Sequence, residues 1–142
     1  WVEFFTERRI RHQLRLARDA QLSEFGDLIC EKMPEWFEPC GVITPSILHG
    51  DLWSGNIGTV DGKPSVFDPA VYYGHNEAEF GMSWCAGFSQ SFYDAYFEVM
   101  PKVEKHFDER RRLYLLYHYL NHYNLFGGGY RGQCLEIMKG LL

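Results

Sequence analysis

Long apolar runs are missing from this chain. No stretch approaches the roughly eighteen consecutive apolar residues of a membrane-crossing helix, and no secretion-signal pattern opens it. The expectation is a soluble chain with no membrane partner. Cysteine is sparse, and Cys30, Cys40, Cys85 and Cys134 form no C-x-x-C pair. A chain this rich in core residues needs no disulfide staples, so reduced thiols in an intracellular compartment, cytoplasm or plastid, are expected. Positive charge is in deficit, with 14 Lys and Arg against 19 Asp and Glu and a net charge of -5, which argues against a nucleic-acid partner. The two basic clusters, Arg8-Arg9-Arg11 and Arg110-Arg111-Arg112, lie in segments with apolar residues at three and four spacing and read as solvated helix faces. Repeats and low-complexity linkers are absent.

What is present is a core-forming composition, 46% hydrophobic and 17% aromatic over 142 residues, enough for a single domain spanning 1–142. Helical spacing dominates. Ile10, Leu14 and Ala17, then Leu22, Phe25, Leu28 and Ile29, recur at helical intervals, with a break expected near Met33-Pro34. Phe80, Trp84 and Phe88 mark a further buried helix, and Phe92 to Met100 a short amphipathic one. Asp108 to Phe126 is the longest helix, stopped by Gly127-Gly128-Gly129, and Cys134 to Leu142 is the last. His118 and His122 stand four apart on the long helix, but Tyr119 occupies the position where a zinc protease would carry its Glu.

The chemistry is concentrated in His49-Gly50-Asp51-Leu52-Trp53-Ser54-Gly55-Asn56 and in Phe67-Asp68-Pro69. Asp51, Asn56 and Asp68 follow the order and spacing of kinase-type phosphoryl transferases, in which one carboxylate meets the substrate hydroxyl and two further groups hold magnesium. Between them Asp61-Gly62 suits a two-residue hairpin turn, because both positions tolerate positive φ. A turn centred there pairs Val60 with Lys63, Ile57 with Val66 and Asn56 with Phe67, so Asn56 and Asp68 emerge side by side. An amide oxygen and a carboxylate are ligands that Mg²⁺ accepts beside phosphate and water. Each acid also ends an apolar run, Ile47-Leu48 and Val66-Phe67, where an idle carboxylate would be costly.

HGDLWSGN, FDPAVYYGHNEAEFGM, GFSQSFYDAY and YHYLNHYNLFGGGYRG closely resemble the fructosamine-3-kinase and ketosamine-3-kinase family, with wording nearer its plant-type members. The resemblance runs from about Ile47 to Met138. It implies the C-terminal lobe of a protein-kinase-like, aminoglycoside-phosphotransferase-like fold, mainly α with a small β-hairpin. It implies ATP and Mg²⁺ as cofactors, and glycated amines or glycated protein lysines as substrates, phosphorylated on the sugar 3-hydroxyl so that the amine is recovered. Residue by residue, it makes Asp51 the catalytic base, Asn56 and Asp68 the magnesium ligands, and Trp53 and His122 substrate contacts, with His75 and Glu77 supporting the site. Trp53 and His122 read equally well as core residues. Asn76 with Glu79 also reads as a capping box opening a helix from Glu77 to Phe88.

A nucleotide clamp needs a glycine-rich loop and a strand Lys paired with a helix Glu, well before the catalytic loop. Lys32 is the sole Lys ahead of His49 and lies in a helical context. The reading is therefore that an N-terminal lobe of the same kinase is absent and that this chain is inactive alone. The competing readings are an aminoglycoside- or choline-type small-molecule kinase, and a non-catalytic helical module.

Overall fold

The computed structural model describes residues 1–142. Helix α1 (Val2–Phe4) runs through a π-helical turn, Phe5–Ile10, into α2 (Arg11–Ala17), which buries Leu14 and ends at Arg18 in the left-handed region. Asp19 then caps α3 (Ala20–Phe37), accepting from the Gln21 and Leu22 amides at 3.1 Å, and pairs through Oδ2 with Arg131 Nε at 2.6 Å. The break expected at Met33-Pro34 does not occur. Pro34 lies inside α3, because Met33, Trp36 and Phe37 all bury their side chains on the same side of it and offset the lost backbone bond.

Two small sheets follow. Strands β2 (Ile57–Val60) and β3 (Lys63–Val66) pair Ile57 with Val66 and Val60 with Lys63, the register expected from the Asp61-Gly62 turn. Asp61 and Gly62 both have positive φ, 49° and 74°. A second antiparallel pair, β1 (Ser46–Leu48) with β4 (Tyr72–Gly74), was not expected. Three-residue strands carry too little alternation to be legible, and their pairing is decided by the packing of Leu48 into the core.

The expected helix from Glu77 to Phe88 is instead a 3₁₀ segment, Asn76–Met82, followed by the short α4 (Ser83–Ala86), with Gly87 at φ 72° closing it. Helix α5 (Gln90–Val99) is capped by Ser89. Helix α6 (Phe107–Phe126) is the axis of the fold, and α7 (Arg131–Leu141) closes the chain. The 3₁₀ segment, α2, α3 and α7 all pack on α6, whose Leu113, Tyr114, Leu116 and Leu120 are fully buried.

Arg110 does not lie on a solvated face. Arg111 and Arg112 are exposed, but Arg110 is completely buried. Its Nε and Nη2 donate to the two Glu77 carboxylate oxygens at 2.7 and 2.9 Å. Nη1 donates to the carbonyls of Trp36 and Lys105 at 3.0 and 2.7 Å, and Nη2 also to that of Val103 at 2.6 Å. All five donors of the guanidinium are satisfied, which is the condition for a buried ion pair to be tolerated. Glu77→Ala leaves that cation unpaired in the core and is expected to lower stability by about 3–5 kcal/mol in urea unfolding. A loss below about 1 kcal/mol would show that water or a neighbouring carboxylate replaces Glu77.

Two histidines are held neutral by burial. Desolvation, with Arg110 as a second cause, lowers the pKa of His75 from 6.5 to about 4. Desolvation, then His122 and Arg9, does the same for His118. Their unfolded forms take up protons below about pH 6.5 and the folded forms do not, so stability is full above that pH and declines as pH falls towards about 4. Urea midpoints are expected to fall over this window, and His75→Gln with His118→Gln to flatten the decline. Unchanged slopes in the double variant would assign the loss to carboxylates.

Candidate active site

Strand β1 delivers the chain into a loop that turns on Gly50. Its φ of 80° is left-handed, and a Cβ there would lie 2.3 Å from the Ala70 carbonyl oxygen, so a side chain is excluded. The loop is held from two sides. Glu79 accepts the His49 and Gly50 amides at 2.6 and 3.1 Å, and His49 Nε2 meets the Phe67 carbonyl at 2.9 Å. The Asp51 amide donates to His49 Nδ1 at 3.3 Å, so the ring proton facing Phe67 is on Nε2.

Asn56 joins the three residues singled out by spacing. It is 7% exposed, and its Nδ2 donates to the Asp51 carbonyl at 2.9 Å, to Asp51 Oδ2 at 3.1 Å and to the Asp68 carbonyl at 3.5 Å. With the nitrogen so engaged, Oδ1 is the free end of the amide. The Phe67 amide donates to the Asn56 carbonyl at 3.1 Å, extending the hairpin by one pair and putting Asp68 next in line. Asp68 is exposed and has φ 53°, a conformation a non-glycine residue adopts at some cost and one that recurs at functional sites. Asn56 offers an amide oxygen and Asp68 an unpaired carboxylate, both of the hard oxygen type that Mg²⁺ takes.

The Asp51 side opens into a cleft of about 610 Å³. Trp53, 39% exposed, forms one wall, its ring so close over Gly55 that a Cβ there would lie 2.2 Å from it. Helix α6 supplies another through Tyr117, His118, Asn121 and His122. His122 Nδ1 bonds to the His118 carbonyl at 2.8 Å, and its ring stands edge-on to Trp84 at 5.7 Å. Trp84 was expected in a buried helix but is 42% exposed, because α4 ends after one turn and leaves its ring on the rim. Arg9, expected on a solvated face, also lines the cleft.

A model of the fructosamine kinase family matches residues 1–142. The chain belongs to that family. It is 54% identical to the chloroplastic protein-ribulosamine 3-kinase of Arabidopsis thaliana, over all of this chain and 44% of that protein. It is 42% identical to the ketosamine-3-kinase of Mus musculus, over 99% of this chain and 47% of the mouse protein. The crystal structure of a putative fructosamine-3-kinase from Thermobifida fusca superposes with a TM-score of 0.80 at 33% identity, covering 99% of this chain and 50% of that one. The chain thus spans under half the length of the curated relatives it matches.

Within this fructosamine kinase chain the structure separates the predicted site residues. Asp51, Asn56 and Asp68 come together, and Trp53 and His122 share the cleft with Asp51. His75 and Glu77 do not join them. His75 is buried against the Tyr114 hydroxyl at 2.8 Å and Glu77 is engaged with Arg110, so both stand behind the cleft rather than in it. The capping box is not formed either, since Asn76 Nδ2 donates to the Tyr96 hydroxyl at 3.3 Å. Glu79, the other half of the expected box, points away from it. Its actual partners are thirty residues earlier in the chain, a pairing no local pattern could signal.

Glu79 therefore fixes the backbone that aims Asp51. In the protein that carries this chain, Glu79→Ala is expected to lower the kcat of a reaction that uses Asp51 about 10- to 100-fold with little change in KM, because two amides lose a charged acceptor. Glu79→Gln, able to accept one of the two, is expected to fall between. Equal kcat in Glu79→Ala and wild type would show that the loop holds its shape without the carboxylate.

Proposed function

We propose that the protein carrying this chain is an ATP- and Mg²⁺-dependent kinase that phosphorylates the 3-hydroxyl of ketosamines, free or protein-bound, in the repair of glycated amines. The observation that carries this reading is the Asn56 amide, which bonds Asp51 and Asp68 together at the edge of an aromatic cleft. The names of the Arabidopsis and mouse relatives support the substrate class. A plastid or cytoplasmic setting belongs to the same reading, supported by the chloroplastic relatives from Arabidopsis and rice.

Asp51 accepts a hydrogen bond from Asn56 at Oδ2 and lines the cleft. There it would orient the sugar hydroxyl and receive its proton as the terminal phosphoryl group passes to that oxygen, its bond to the bridging oxygen of ADP breaking and ADP leaving. Asn56 Oδ1 and the Asp68 carboxylate would hold the magnesium, which supplies charge neutralisation at the phosphate oxygens. Trp53 presents a ring face on which the apolar side of a sugar can stack, and His122 a ring nitrogen for a hydroxyl. This chain contributes the floor of such a site, and the groups that cover the nucleotide phosphates would come from the remainder of a protein as long as its relatives.

The test is phosphorylation by the full-length protein of fructosamine and ribulosamine adducts against aminoglycoside and choline acceptors. Ketosamines are expected to be the preferred acceptors. Asp51→Asn is expected to lower kcat about 10²- to 10⁴-fold without weakening ATP binding, and Asp68→Ala to abolish turnover. Preference for aminoglycosides or choline would replace the substrate class, and a wild-type rate in Asp51→Asn would remove the base.

A further inference from the structure

Arg9 has surroundings unlike those of any other arginine in the chain. Four arginines are less than fully exposed: Arg9, Arg11, Arg110 and Arg131. Three pair with carboxylates, Arg11 with Glu7 and Asp27, Arg110 with Glu77, and Arg131 with Asp19. Arg9 pairs with none. Its guanidinium lies 5.2, 5.4 and 5.5 Å from the ring centres of Tyr72, Tyr117 and Phe4, and Nη1 donates to the Tyr117 hydroxyl at 3.0 Å. The aromatic rings fix the plane of the fork and one bond uses one donor, leaving four N–H groups with no protein acceptor. The fork borders the cleft that also holds Asp51 and Trp53.

The backbone supports the same assignment. Arg9 lies in the π-helical turn Phe5–Ile10, an irregularity that recurs at functional sites, and both ends of that turn, Phe5 and Ile10, are buried. A planar, pre-oriented and unpaired guanidinium in a substrate cleft is complementary to a carboxylate or a phosphate, which it can grip with two parallel bonds. The reacting hydroxyl carries no such group, and the nucleotide phosphates are assigned above to the Asn56 and Asp68 side, which does not line this cleft, so the anion is placed elsewhere on the ketosamine.

We propose that Arg9 is a specificity-determining residue that binds an oxyanion carried by the ketosamine away from its reacting hydroxyl. Two parts of the substrate can supply it: the α-carboxylate of an amino acid bearing the adduct, or a phosphate on the sugar. The proposal rests on the ketosamine kinase reading and sharpens it to anionic ketosamines.

The experiment uses the full-length kinase and three adducts: fructose on glycine, fructose on glycinamide, and 6-phosphofructose on glycinamide. Wild type is expected to favour at least one of the two anionic adducts over the neutral one by about 10- to 100-fold in kcat/KM. The carboxylate arm identifies the amine carrier as the source and the phosphate arm identifies the sugar. Arg9→Gln is expected to erase that preference through KM for the anionic adduct while leaving the neutral one unchanged, and Arg9→Lys to retain part of it. Equal kcat/KM for all three adducts in wild type overturns the proposal, even if Arg9→Gln does not fold. An equal loss on all three in Arg9→Gln also overturns it, because that is the signature of an arginine that only cements rings. Absence of turnover with every adduct in wild type is the separate failure of the kinase reading, and the proposal falls with it.

Discussion

The buried pair of Arg110 and Glu77 is the constraint on which the site depends. A guanidinium with no exposure must have all its donors met, and the five acceptors come from Glu77, the end of α3 and the segment leading into α6. That requirement holds the Asn76–Met82 segment against α6. Two residues after Glu77, the same segment carries Glu79, whose carboxylate clamps the amides of His49 and Gly50. Asp51 follows directly and is bonded to Asn56, which is bonded to Asp68. An ion pair in the core thus positions, through one short 3₁₀ segment and one loop, the carboxylate at the cleft. Replacing the pair with apolar side chains could preserve packing, but it would release the segment that aims the loop.

The site divides its labour between rigid and open parts. On the hairpin side, the β2–β3 register and the left-handed Asp68 put Asn56 and Asp68 at the end of a ladder, where backbone bonds rather than side-chain packing set their spacing. On the α6 side, one long helix presents Leu113, Leu116 and Leu120 to the core and Tyr117, Asn121 and His122 to the cleft. Both faces are occupied, so the helix lacks the simple apolar stripe of a surface helix. The cleft walls are therefore as firmly placed as the core behind them, which suits a pocket that holds a bound group in one orientation.

Aromatic side chains do two different jobs here. Phe5, Phe37 and Tyr114 interlock edge-to-face in the interior, with the Tyr114 hydroxyl met by Trp1 Nε1 and His75 Nδ1. Trp53, Trp84 and Phe126 stay partly exposed around the cleft. Tyr72 and Tyr117 bridge the two populations by flanking Arg9, and burial pushes the Tyr72 hydroxyl up to about 12, so that ring remains a neutral partner for the cation at any physiological pH.

The sequence by itself determined the elements whose signal is local. The Asp61-Gly62 turn, with its requirement for positive φ, specified the hairpin register and with it the convergence of Asn56 and Asp68. The glycines after Phe126 specified where α6 stops. Only the tertiary structure decided the rest. Whether Glu77 and His75 faced a substrate or a buried cation depended on Arg110, thirty-three residues beyond Glu77, and whether Glu79 capped its own helix depended on a loop thirty residues before it. Pro34 stayed inside a helix because Met33, Trp36 and Phe37 had a core to enter, and Arg9 turned to the cleft because two tyrosines from distant elements waited there. Charged side chains take their role from whichever partner satisfies them, and a partner supplied by folding leaves no mark on the local pattern.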